Sequence, residues 1–284
     1  MTVDQATRLR YLVETSRSRA RVVAVTSGKG GVGKSSIALN VAIAVAKMNA
    51  RVVLVDADFG LANLDVMCGV SPSAGLADVV SGRRRLSEAV TRTPYSIQLI
   101  AGANGIAYLA DMPDEDRTRL LAQLGAIERE SDLIVVDTGA GVSRNVVKIA
   151  AAADDCLVVT TPEPTSITDA YAAVKLISRE REHGTLSLVV NQAATREEAA
   201  GVAARISAVA RRFLGVEIAH MGYVLRDPAV ARCVCMRKPL MAAFPASSAA
   251  LCMKAIAARL QPGRAARASG EAGFFSRLRT FIGR

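Results

Sequence analysis

Lysines inside a glycine run, a hydroxyl beside them, and aspartates that close apolar runs are the residues of this chain that suit chemistry on a phosphate. The run is Gly28 Lys29 Gly30 Gly31 Val32 Gly33 Lys34 Ser35 Ser36. Glycines let a backbone wrap closely round an anion and turn its N–H groups inward. A lysine ending such a run reaches the β and γ phosphates, and the hydroxyl after it ligates Mg²⁺. Lys34 and Ser35 hold those two positions. Asp56 and Asp58 follow the strand-like run Arg51 to Val55, and Asp137 closes the apolar run 133–136. Acids at the carboxyl end of a strand, next to a phosphate loop, can hold a metal or orient a water.

Such a loop needs a strand before it and a helix after it. The β-branched run 22–26 supplies the first, and 35–47, with Ile37, Val41, Ala44 and Val45 at helical spacing, supplies the second. The alternation continues, predicting strands at 97–101, 133–137, 156–160, 186–190 and 216–224 and helices over 114–130, 196–214 and 247–260, with a further helix that 162–171 leads into and that reaches about 181. Asp114, Glu115 and Asp116, just after Pro113, suit the positive end of the first of these helices. The expected fold is α/β, a three-layer α/β/α sandwich with a mostly parallel sheet, spanning 21–260.

Residues 1–20 form an appendage before this core. An Ala-, Arg- and Gly-rich linker, 261–270, leads to a second appendage at 271–284. There Phe274, Phe275, Leu278, Phe281 and Ile282 fall on one helical stripe, with Arg277, Arg279 and Arg284 available to the polar side. A basic amphipathic helix of this kind suits an anionic bilayer interface, or docking on the core or on a partner.

With 284 residues, 51% of them apolar, the chain can bury one sizeable core. Its formal charge is +10, and both ends are basic: 1–21 holds five arginines against Asp4 and Glu14, and 262–284 five against Glu271. An anionic partner is implied, nucleic acid or lipid headgroup. Arg83, Arg84 and Arg85 form a further basic cluster. Five cysteines make no disulfide framework in a chain of this length, and Cys233-Val-Cys235 lacks a histidine at metal spacing. The charged N-terminus and the lack of a long apolar run lead us to expect a cytoplasmic protein with reduced thiols.

The string Lys-Gly-Gly-Val-Gly-Lys-Ser resembles the deviant Walker A motif of the MinD/ParA family of ATPases. That resemblance implies ATP and Mg²⁺ as ligands and a homodimer formed on ATP, with Lys29 crossing the interface to the nucleotide of the other subunit. Gly28 through Ser36 would cradle the phosphates. Asp58 matches the switch I aspartate that orients the attacking water, and Ser35, Asp137 and Asp58 become the set around the metal. Asn191 matches the adenine-reading amide. Asp227 and Pro228 match the turn packed on the base, although Leu225 stands where a proline is common.

Two further stretches resemble FlhG, the flagellar branch of that family. One is the switch II sequence Asp137 Thr138 Gly139 Ala140 Gly141. The other is the leading segment with Asp4, Gln5, Ala6, Leu9 and Arg10, which in that branch docks on the GTPase FlhF and stimulates it. The resemblance therefore implies a membrane-associated regulator of flagellar number and placement, with an FlhF-type GTPase and basal-body components as partners and Phe274, Phe275, Leu278, Phe281 and Ile282 as its membrane contact. The rivals are a division-site MinD role, a ParA-type DNA-partitioning ATPase, and a nucleotide-sensing regulator of flagellar transcription.

Overall fold

The computed structural model describes residues 19–58, 63–102, 114–181, 184–261 and 273–282. Asp4, Gln5, Ala6, Leu9 and Arg10 lie outside them, as does 262–270 of the linker.

Eight strands form one sheet in the order β3-β4-β2-β5-β1-β6-β7-β8. They are β1 (Arg21–Ser27), β2 (Val52–Ala57), β3 (Val90–Arg92), β4 (Ile97–Ile100), β5 (Leu133–Ala140), β6 (Asp155–Thr160), β7 (Thr185–Ala193) and β8 (Ala219–Leu225). All pairings are parallel except that of β3 with β4 at the edge. The inner strands are buried on both faces, which explains why they read as unbroken apolar runs rather than alternating ones.

Twelve helices are described: α1 (Lys34–Ala46), α2 (Leu64–Cys68), α3 (Leu76–Val80), α4 (Leu86–Ala89), α5 (Asp114–Glu130), α6 (Arg144–Ala152), α7 (Pro164–Glu180), α8 (Arg196–Leu214), α9 (Pro228–Met236), α10 (Leu240–Ala243), α11 (Ser248–Leu260) and α12 (Phe274–Ile282). They cover both sides of the sheet. Val23, Val25, Leu54 and Val135 pack with α1, α10 and α11, whereas Val22, Ala24, Val55 and Ile134 pack with α5, α6, α7, α8 and α12. Successive strand residues thus feed opposite layers, and the three-layer α/β/α sandwich stands as expected.

Two boundaries matter for the site. β2 runs on to Ala57, so Asp56 belongs to the strand, and β5 runs on to Ala140. Helix α6 was not anticipated. Ser143 caps it by accepting from the Val146 N–H, and the helix presents Val146, Ile149 and Ala150 to the core.

The C-terminal stripe is where the structure departs most from the bilayer expectation. Phe274, Phe275 and Leu278 are buried in the core layer between α5 and α6. The Phe274 N–H donates to Glu128 Oε1 at 2.7 Å, while Arg277 donates from Nη2 to Asp154 Oδ1 at 2.8 Å and from Nε to the Ala152 carbonyl. Three apolar side chains on one face find an apolar surface within the same chain, so in this conformation they do not meet lipid. The side chains of Phe281 and Ile282 lie outside the description.

Candidate active site

The phosphate loop bridges the end of β1 and the start of α1, at the centre of the sheet and beside the carboxyl ends of β2 and β5. Sites in open α/β sheets form outside these strand ends. Two glycines are obligatory there. A Cβ on Gly28 would strike the Asp169 carbonyl of α7, and Gly33 has φ +85° with the Asn191 amide lying where a Cβ would go.

Lys34 donates to Asp137 Oδ1 at 2.7 Å, and the pair is almost wholly buried, at 6% and 1% exposure. Burial raises the Asp137 pKa above the usual carboxylate range, while the Lys34 charge and the neighbouring Ser35 hydroxyl oppose that rise. Asp137 Oδ2 is buried with no hydrogen-bond partner among the described residues. An orphan carboxylate oxygen beside a serine hydroxyl is a hard-oxygen donor set, which fits Mg²⁺. Such an ion supplies charge neutralisation on a bound triphosphate.

Asp56 and Asp137 stand opposite one another in the register of β2 and β5. Asp56 organises the chain that follows it: Oδ1 accepts from the Asp58 N–H at 3.2 Å, and Oδ2 from the N–H groups of Asn63 and Leu64 at 3.1 and 3.2 Å. Burial pushes its pKa to about 6 against these hydrogen bonds, helped by the Asp137 charge. These bonds hold the backbone at Asp58, Asn63 and Leu64. Asp58 in turn lies close to Gly139, and a Cβ on that glycine would be 3.6 Å from Asp58 Oδ1.

A cleft of about 490 Å³ opens over these groups, with Gly30, Lys34, Ser35, Asp58, Arg237 and Lys238 in its wall. Its size suits a small-molecule ligand. Lys29 also lines it and reaches α7, donating to Glu163 Oε2 at 3.1 Å and Thr165 Oγ1 at 3.0 Å.

The three residues matched to the base by resemblance, Asn191, Asp227 and Pro228, lie outside the lining of this cleft. Asn191 donates to the Val32 carbonyl at 2.7 Å, so its amide braces the phosphate loop. Asp227 caps two helices, accepting from Ala229 N–H with Oδ1 and from Ala249 N–H with Oδ2. Those bonds, the one from Ala249 foremost, hold its pKa below the ordinary value. Its carboxylate is therefore spent on joining α9 to α11, and Pro228 occupies the first turn of α9. Arg237 and Lys238 were missed by sequence reasoning, because nothing local links 237–238 to a loop two hundred residues earlier.

The family model described as ParA, an NUBPL iron-transfer P-loop NTPase, matches residues 18–261. The chain belongs to the MinD/ParA family of P-loop ATPases. This MinD/ParA ATPase is 37% identical over 240 residues to the antiactivator FleN of Pseudomonas aeruginosa, covering 84% of this chain and 86% of that one. It is 33% identical over 231 residues to the flagellum site-determining protein YlxH of Helicobacter pylori, covering 81% and 78%. Both matches place it with the FlhG-type branch. Among solved structures it superposes on the MinC:MinD cell division complex of Aquifex aeolicus with a TM-score of 0.67 and 27% identity, over 85% of this chain and 96% of that one. The iron-transfer description does not extend to the cysteine pair: Cys233 is buried and Cys235 exposed on α9, two residues apart and so on opposite sides of the helix.

Proposed function

We propose that this ATPase is a nucleotide-driven switch that dimerises on ATP, associates with the inner face of the membrane, and sets flagellar number and placement together with an FlhF-type GTPase and basal-body components. The observation that carries the reading is Lys29, placed on the rim of the phosphate cleft with the exposed Glu163 and Thr165 as its hydrogen-bond partners among the described residues. A lysine so placed can turn toward the phosphates of a second subunit. FleN and YlxH, named for flagellar control and covered over most of their length, support the flagellar task. Asp58, positioned by Asp56 beside the mobile-capable glycines Gly139 and Gly141, suits the orientation of an attacking water once ATP and Mg²⁺ are bound.

Membrane association is the part that needs a change of conformation. Among the described residues no helix is long and apolar enough to cross a bilayer, so the contact would be peripheral. Burying Phe274, Phe275 and Leu278 is worth about 1.5–3 kcal/mol each. A bilayer interface returns much of that, so exchanging core for lipid is a modest step, and a dimer that presents two tails multiplies weak anchors.

The test is co-sedimentation with phosphatidylglycerol-containing vesicles in ATP and in ADP, comparing the full chain with one ending at Gly270 and adding duplex DNA as competitor. ATP-dependent pelleting that needs the tail and ignores DNA supports the proposal. Retention by DNA without pelleting would replace it with a partitioning role.

A further inference from the structure

Away from the phosphate cleft, α6 and α7 leave a groove of about 400 Å³ between them. Val142, Val147 and Leu176 give it an apolar wall, and Arg144, Lys148 and Arg179 surround it with three positive charges against the single acid Glu180. Arg144 and Lys148 stand four residues apart on α6 and so share one face, a like-charge arrangement that costs helix stability. Partial burial and then the Arg144 charge lower the Lys148 pKa, while the Glu180 charge opposes them. Val142 remains 39% exposed at the mouth. Such a combination favours an occupant that brings carboxylates for the rim and an apolar side chain for the wall.

We propose that the α6–α7 groove is a docking site for an acidic amphipathic segment of a partner protein. A concave site of this volume suits a chain segment better than a flat bilayer, and its charge is complementary to acidic, not basic, sequence. The groove starts at Val142, five residues after Asp137 on the same stretch of chain, and the partners of Lys29 stand at the start of α7, Glu163 as its cap residue and Thr165 in its first turn. A segment bound here therefore rests on the two elements that leave the phosphate site. The assignment does not depend on the flagellar reading.

The experiment is fluorescence anisotropy of the full chain with a labelled helical peptide of glutamates carrying leucines at positions i and i+4. Arg144→Glu/Lys148→Glu and, separately, Val142→Ser are compared with the distant control Arg196→Glu/Arg205→Glu, which makes the same change in net charge as the first. The expected result is a loss of at least about tenfold in affinity for the groove double variant, as for removal of close charge pairs, and a loss of about threefold for Val142→Ser, with the control unchanged. Equal weakening by the control, or undiminished binding of a peptide with serines for its leucines, would mean general attraction to a basic protein and overturn the proposal. So would substitutions that leave peptide binding intact and abolish pelleting with phosphatidylglycerol vesicles, since the groove would then serve lipid.

Discussion

Lys29 Nζ and Glu163 Oε2 stand 3.1 Å apart within one chain, joining the phosphate loop to the residue just before α7. The two side chains are 40% and 64% exposed. A pair so open to solvent contributes about 0–1 kcal/mol, so Lys29 can change partners at little cost. Lys29→Ala should therefore leave stability within about 1 kcal/mol of the parent and retain ATP binding, yet stay monomeric in ATP. Sedimentation velocity with ATP and with ADP checks this, and an ATP-dependent dimer of the variant would remove Lys29 from the interface.

Asp58 donates its backbone N–H to Asp56 and lies beside Gly139, and the role proposed for it is to orient the attacking water. Asp58→Ala should bind ATP and reach the dimer while losing turnover by about 100-fold or more. Phosphate release read alongside dimerisation decides the matter; normal hydrolysis would reassign the role.

Asp137 neutralises a buried lysine, so its removal leaves Lys34 uncompensated. Asp137→Ala should destabilise the protein by about 3–5 kcal/mol and abolish hydrolysis. Urea unfolding gives the first figure. A variant as stable as the parent would show that the buried pair contributes nothing.

Asp56 yields a prediction in pH. Its folded pKa is raised from 3.8 to about 6, so between those values the folded state binds more protons than the unfolded one and stability falls as pH rises. The rise corresponds to about 3 kcal/mol at about 1.4 kcal/mol per unit. Asp56→Asn keeps an acceptor for the N–H groups of Asn63 and Leu64 and removes the titration. The stability difference between variant and parent should move in the variant's favour by up to about 3 kcal/mol from pH 4 to pH 7, measured by urea unfolding at each pH without nucleotide. A constant difference would mean that Asp56 titrates normally.

Phe274 is fully buried and anchors α12 beside α5. Phe274→Ala should cost about 3–5 kcal/mol of docking energy, enough to release the helix while the sheet stays folded. Trypsin should then cut at Arg277 and Arg279 faster than in the parent at equal protein stability. Unchanged cleavage would show that the helix is held by its polar contacts alone.

Much of this protein is legible one segment at a time. The glycine run, the apolar strands closed by Asp56 and Asp137, and the period of helices such as 114–130 and 196–214 depend on neighbouring residues only, so local spacing sufficed to predict an α/β/α sandwich with a phosphate loop at its centre. Helix α6 escaped because Arg144 to Ala152 has a short apolar face that reads equally as loop, and it became helix through a Ser143 cap and burial against β1 and β5. Tertiary structure alone decided the rest. Whether Phe274, Phe275 and Leu278 meet lipid or protein depends on a surface supplied by α5 and α6, far earlier in the chain, and on Glu128 and Asp154, 146 and 123 residues from the groups they hold. Asn191 and Asp227 are matched to the base through the family resemblance alone, and only packing shows that Asn191 donates to the Val32 carbonyl and that Asp227 accepts from N–H groups in the first turns of α9 and α11. A side chain's type is written in the sequence; the partner that uses its hydrogen bonds is chosen by packing.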